Sequence, residues 1–167
     1  MAFSGRRKSV DPKRAADTET VRTAAVALLA RRDFASNELR EKLASQGYDR
    51  DVTAGVVTEL IGRHVLDDGR YAENYVAYHS KRGQGPVRIA ADLRALGVPA
   101  ELIEGALAAG PDWRALAQEV RRRKFGPEPP ENWSEKARQA RFLQYRGFSA
   151  DHIRSAVSAD FDPDSRT

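Results

Sequence analysis

Cysteine is absent from this 167-residue chain, which excludes disulfides and thiolate metal ligation and fits a reducing cytosol. Long hydrophobic runs are absent too. No window approaches the roughly 18 consecutive apolar residues of a membrane span. The N-terminal MAFSGRRKSVDPKRAADTE carries charge but lacks the apolar stretch of a secretory signal. These absences predict a soluble cytoplasmic protein. Alternation of apolar and polar residues at period two is also missing, so no strand is predicted. With 41% hydrophobic and 31% charged residues, the chain has enough apolar material to fold but little for one deep core.

What is present is charge of uneven distribution. The formal net charge is +4. Residues 1–22 carry six basic and three acidic groups, and residues 112–158 carry ten and six. Residues 23–63 balance, residues 64–111 have one acid in excess, and residues 159–167 have one basic and three acidic groups. A positive excess confined to the first arm and the last structured third favours a polyanionic partner. Solvated helix faces on an ordinary basic protein are the plainer explanation of the same numbers.

Helical spacing runs throughout. In VRTAAVALLARRDF, Val21, Ala25, Leu28 and Leu29 share a face from which Arg22 and Arg32 turn away. SNELREKLASQGY offers Ser36 as N-cap, Leu39 and Leu43 one turn apart, and Gly47 as a stop, with Glu38 and Lys42 as an exposed i,i+4 pair. The same phrase recurs in RIAADLRALGV and RFLQYRGF. Leu43, Leu93 and Leu143 step by 50 residues, as do Gly47, Gly97 and Gly147. Each glycine is followed by one apolar residue (Tyr48, Val98, Phe148) and then by a helix beginning at Asp49, Pro99 or Ser149. The inner faces of these helices are read as Val52, Val56 and Leu60; Leu102, Ile103 and Leu107; and Ile153 and Val157. A first helix precedes each pair, over residues 21–32, 68–81 and 112–123. A 50-residue period of three helices predicts a small all-α array. The expected organisation is a basic, disordered arm over 1–20, repeats over 21–63, 64–110 and 111–158, and an acidic flexible tail over 159–167.

The adjacent carboxylates Asp67 and Asp68 invite a catalytic reading, but Asp68 falls where the first helix of the second repeat begins. There it is expected to cap the helix, with Asp67 sharing that task. No acid pair or nucleophile–histidine set accompanies them, and His64, His79 and His152 lack ligand spacing. No enzyme, cofactor, metal or small-molecule substrate is therefore expected. RGQGPVRI, residues 82–89, matches neither a Walker loop nor a dinucleotide loop. Gly85-Pro86 instead separates two helices, with Pro86 suited to the first turn of the second. Tyr71, Tyr75 and Tyr78, at i, i+4 and i+7, are expected inside the array, as are Trp113 and Phe125.

LARRDFASNELREKL, LDDGRYAENYV, KRGQGPVRIAADLRALGV, RRRKFG and EKARQARFLQYRGFS resemble, in order, the signature segments of the RecX family, bacterial modulators of the RecA recombinase. The resemblance covers residues 21–157. It departs at Phe34, where histidine is common, at Tyr71, where phenylalanine is frequent, and at His152, usually aliphatic. The resemblance implies an elongated, curved array of three tandem helix-turn-helix-like repeats. It also implies a non-enzymatic regulator that lodges in the groove of RecA–DNA filaments, suppressing ATPase, strand exchange and co-protease activity and so modulating the SOS response. Weak direct binding of single- or double-stranded DNA is implied as well, and no membrane partner.

Exposed cations at suitable repeat positions are the candidate contacts to RecA or DNA: Arg31, Arg32, Lys81, Arg82, Arg88, Arg121, Arg122, Arg123, Lys124, Arg138, Arg141 and Arg146. The arm cations Arg6, Arg7, Lys8, Lys13 and Arg14 are expected to order on binding. Two rivals stay open: a direct DNA-binding helix-turn-helix regulator that does not target RecA, and a protein adaptor using the Tyr71/Tyr75/Tyr78 face.

Overall fold

The computed structural model describes residues 10–158. Among them are ten α-helices and no strand: α1 (Pro12–Ala15), α2 (Thr18–Leu29), α3 (Ser36–Ser45), α4 (Arg50–Gly62), α5 (Asp68–Lys81), α6 (Pro86–Ala95), α7 (Ala100–Ala108), α8 (Trp113–Phe125), α9 (Trp133–Arg146) and α10 (Ala150–Val157). The fold is all-α, with three tandem three-helix repeats formed by α2–α4, α5–α7 and α8–α10. None of these helices is long and apolar enough to cross a membrane. The expected tail over 159–167, and Arg6, Arg7 and Lys8 of the arm, lie outside the described residues.

The described chain divides into two units. One runs to Tyr71 and includes Leu96–Val98; the other comprises Ala72–Ala95 and the residues from Pro99 onward. In the first unit, Val21, Ala25, Phe34, Leu39, Leu43, Val56, Val57, Leu60 and Leu66 form the core. In the second, Ala117, Val120, Leu143, Phe148, Ala156 and Val157 form that of the third repeat. The expected arm needs correction over residues 11–20. Asp11 Oδ1 accepts from Lys13 N at 2.9 Å to start α1, Ala15 is buried, and its carbonyl accepts from Asp49 N at 2.9 Å. The helix after it begins at Thr18 rather than Val21, because Asp17 accepts from Thr20 N at 2.8 Å.

The glycine stops are built as the spacing implies. Gly47, Gly97 and Gly147 have φ of 99°, 77° and 92°. At Gly47 the following Tyr48 N–H donates to the Leu43 carbonyl at 3.2 Å and Gly47 N–H to Ala44 at 3.0 Å. Phe148 and Gly147 repeat this with Leu143 at 3.2 Å and Gln144 at 3.0 Å. These are paired 6→1 and 5→2 bonds that satisfy the last helix carbonyls. Asp49, Pro99 and Ser149 are the N-cap residues of α4, α7 and α10.

Several local expectations fail for identifiable reasons. Asp67 alone caps α5, its Oδ1 accepting from Arg70 N at 3.0 Å. Asp68 turns instead to the start of α3, accepting from Ser36 N at 2.7 Å and Ser36 Oγ at 3.0 Å. Ser36 is thus not a cap but a buried first-turn residue whose donors are satisfied from 32 residues away. Glu38 does not pair with Lys42. Its carboxylate meets the Arg32 guanidinium at 2.7 Å, which also holds the arginine charge more firmly. Arg22 does not turn wholly to water, since Glu59 holds it at 2.8 Å. The inward stripe of α5 is Ala72, Val76 and Ser80, which leaves Tyr71 and Tyr75 half-buried and Tyr78 exposed. Leu102 is exposed and Ile103 takes the core position. Trp113, though half-buried, does pack against the core of the third repeat as expected, while Phe125 is half-buried at the end of α8.

His152 carries a cost at its aliphatic-type slot. Its Nδ1 is buried and meets no partner among the described residues, and its ring lies edge-on to Phe148 at 6.4 Å. Burial, aided by the positive charge of Arg114, holds its pKa below the ordinary histidine value, with Asp151 and Asp112 opposing. The folded state therefore prefers the neutral ring, while the unfolded chain takes up a proton below pH ~6.5. Stability is present above that pH and is lost as the pH falls below it. Urea unfolding at pH 7.5 and 5.5 should show this loss, and His152→Leu should reduce it. Some loss remains, because burial shifts His79 the same way.

Candidate functional site

The second unit brings together the ends of three helices. Gly85 N–H donates to the Arg146 carbonyl at 2.8 Å and Val87 N–H to the Gly147 carbonyl at 2.9 Å. The start of α6 therefore abuts the end of α9, where unpaired donors meet unpaired acceptors. The approach is close. A Cβ at Gly85 would lie 2.4 Å from the Gly147 carbonyl atoms, and one at Gly147 would lie 2.3 Å from Arg88 Cβ. The GQGP stretch is thus a docking joint rather than a mere chain break.

This joint sets the end of α5 beside α8 and α9, and an open cleft of about 280 Å³ results. Lys81, Arg82, Gly83, Val120, Arg123, Lys124, Phe142 and Arg146 line it. Arg123 has an ion-pair partner, Glu119. Lys81, Arg82, Lys124 and Arg146 form no ion pair among the described residues. Arg146 Nη1 donates to the Arg82 carbonyl at 3.4 Å, which ties the two basic segments together. The guanidinium of Arg146 lies 5.3 Å, and the Lys124 ammonium 5.8 Å, from the Phe142 ring centre, and Arg82 lies 4.6 Å from that of Tyr78. Aromatic faces near cations hold them extended without neutralising them. The arrangement can take a run of phosphates along its cations and an apolar group against Phe142 and Val120.

Five sequence-nominated cations, Lys81, Arg82, Arg123, Lys124 and Arg146, therefore share one site, with Arg88 at its joint. Arg122 and Arg141 are exposed but do not line it. Arg138 pairs with Glu135 at 2.6 Å and stacks 5.2 Å over Phe125. Arg121 contradicts its nomination as an exposed cation. It is 4% exposed, and its guanidinium donates to the carbonyls of Glu128 at 3.0 Å and Pro127 at 3.3 Å and to Gln139 Oε1 at 3.3 Å. Its helical position points it into the bundle, and the returning loop supplies acceptors. Arg31 and Arg32 belong to the first unit. There Arg31 borders a shallow hollow with Ala24, Ala27, Leu28 and Gln46, and Arg32 is engaged by Glu38 and lies 3.7 Å over Phe34. Phe142 had no assigned role in the sequence reading. Its spacing of four residues from Arg146 was the available signal.

The fold and site together define a class: a helical-repeat protein with left-handed glycine stops and a cationic cleft. Models of the first, second and third three-helix domains of RecX match residues 22–60, 67–107 and 112–157. The regulatory protein RecX of Halorhodospira halophila is 46% identical over 152 residues, covering 90% of this chain and 94% of that protein. That of Vibrio parahaemolyticus is 40% identical over 147 residues, covering 87% and 95%. In fold, the crystal structure of RecX from Lactobacillus salivarius matches with a TM-score of 0.73 at 21% identity, covering 84% of this chain and 94% of that one. The chain belongs to the RecX family of regulatory proteins.

Proposed function

We propose that this protein binds RecA and RecA–DNA filaments in the filament groove and restrains them by blocking growth or promoting disassembly. RecA's ATPase, strand exchange and co-protease activities fall as a result. The basic cleft of the second unit carries this reading. Its cations converge with four of them unpaired, a geometry suited to the phosphates of DNA held within a protein polymer rather than to a reacting substrate. Contacts of this kind are salt-sensitive and blind to sequence.

The test titrates the protein against RecA, reading DNA-dependent ATPase, filament length and free DNA affinity together. A Lys81→Ala/Arg82→Ala/Lys124→Ala variant should lose about tenfold or more in inhibitory potency, in line with the several phosphate contacts removed. Arg121 and Arg146 stay intact in it because both hold the structure. Wild-type potency in that variant would remove the cleft from the mechanism. Sequence-selective duplex binding with no effect on RecA would replace the reading with that of a direct DNA-binding regulator.

A further inference from the structure

Trp133 is 82% exposed, the most exposed large apolar side chain among the described residues. It opens α9 at the end of the loop GPEPPEN, and that loop is held at both ends. The buried Arg121 grips the Pro127 and Glu128 carbonyls. Asn132 caps α9 through Oδ1, accepting from Glu135 N at 2.9 Å. Pro127, Pro129 and Pro130 restrict the backbone between these anchors. Glu128 and Glu131 precede Trp133 in the same loop, both exposed and neither in an ion pair among the described residues. Tryptophan is enriched among contact hot spots, and a loop anchored at both ends loses less backbone entropy on binding.

The charge at this loop is opposite to that of the cleft. Phe142 lies nine residues on, which at 100° per residue puts it about 180° around α9 and about 13 Å along it. The two surfaces therefore face different ways. Carboxylates repel a phosphate backbone, so the loop fits protein rather than nucleic acid.

We infer that the Glu128–Trp133 loop is a docking site for a protein surface with cationic groups around an apolar recess. On the proposed function, that surface lies on RecA itself, which leaves the cleft to meet DNA. The inference rests on that reading and divides its two partners between two ends of one unit.

The experiment measures binding of the full chain to DNA-free RecA and, separately, to single-stranded DNA. Trp133→Ala should weaken RecA binding at least tenfold and leave DNA affinity within twofold. Glu131→Lys should weaken RecA binding in the same direction. The cleft variant should do the reverse, losing DNA affinity and keeping RecA binding. Unchanged RecA binding by Trp133→Ala overturns the inference alone. So does a loss of DNA affinity in that variant, which would make the indole a base-stacking platform. If the unaltered protein binds neither RecA nor its filaments, it is the proposed function that fails.

Discussion

Alanine at Gly147 is expected to destabilise the second unit by about 2–5 kcal/mol, whereas alanine at Gly47 costs about 1–2 kcal/mol. The backbone contribution is common to both. Each glycine is left-handed, with φ of 92° and 99°, where a Cβ costs about 1–2 kcal/mol. The packing contribution differs. A Cβ at Gly47 would find its nearest neighbour, Val10 N, at 3.7 Å, which is ordinary contact. At Gly147 it would fall 2.3 Å from Arg88 Cβ and 2.8 Å from Arg88 N, and neither atom can retreat without moving α6. Overpacking of this kind adds about 1–3 kcal/mol. Gly97 sits between them. Its Cβ would meet Asn37 Nδ2 at 2.5 Å and Asn37 Cβ at 2.7 Å, and a rotating amide relieves only part of that. Gly85→Ala isolates the steric share, since no left-handed backbone is involved and the Gly147 carbonyl lies 2.4 Å away. Urea unfolding should rank the losses as 147, then 97, then 47. Equal losses at all three would mean that the α6–α9 joint yields freely.

That ranking marks where the sequence is legible and where it stops. A glycine at each 50-residue step was readable because the left-handed stop needs a particular residue type in a particular local place. Leu43, Leu93 and Leu143 were readable for the same reason, as the apolar residues four before the stop. What lies against each glycine was not readable, because Asn37 and Arg88 arrive by tertiary packing. Asp68 makes the same point. A carboxylate at a helix start announces a cap, but Asp67, one residue earlier, is equally able to supply it. The choice depends on Ser36, which reaches Asp68 only in the folded chain. The candidate site divides along this line too. Basic runs named Lys81, Arg82, Arg123, Lys124 and Arg146 individually. Their convergence on Phe142 follows from the Gly85–Gly147 approach, which no local pattern encodes.

Arg121→Ala is expected to cost about 2–4 kcal/mol, although the residue sits in a run of four cations that looks uniformly solvent-facing. A helix turns 100° per residue, so four consecutive side chains point in four directions. Arg122, Arg123 and Lys124 meet water while Arg121 meets the core. Among the described residues its guanidinium has no carboxylate partner, and three neutral acceptors, the Pro127 and Glu128 carbonyls and Gln139 Oε1, take its donors. Truncation removes the buried stem and leaves those acceptors without a donor, and both losses destabilise. Arg121→Met keeps most of the stem packing and loses only the hydrogen bonds, so it should cost about 1–2 kcal/mol. Arg122→Ala, at an exposed position, should stay within about 0.5 kcal/mol. Urea unfolding of the three variants separates these magnitudes. The same contrast governs any charge reversal across RRRK. Reversing all four residues buries a carboxylate among carbonyls, and the fold fails before any partner is tested. Reversing Arg122, Arg123 and Lys124 alone leaves the 126–132 loop anchored and changes only what the surface offers. Loss of RecA inhibition in the second variant therefore reports on binding, while loss in the first reports on folding.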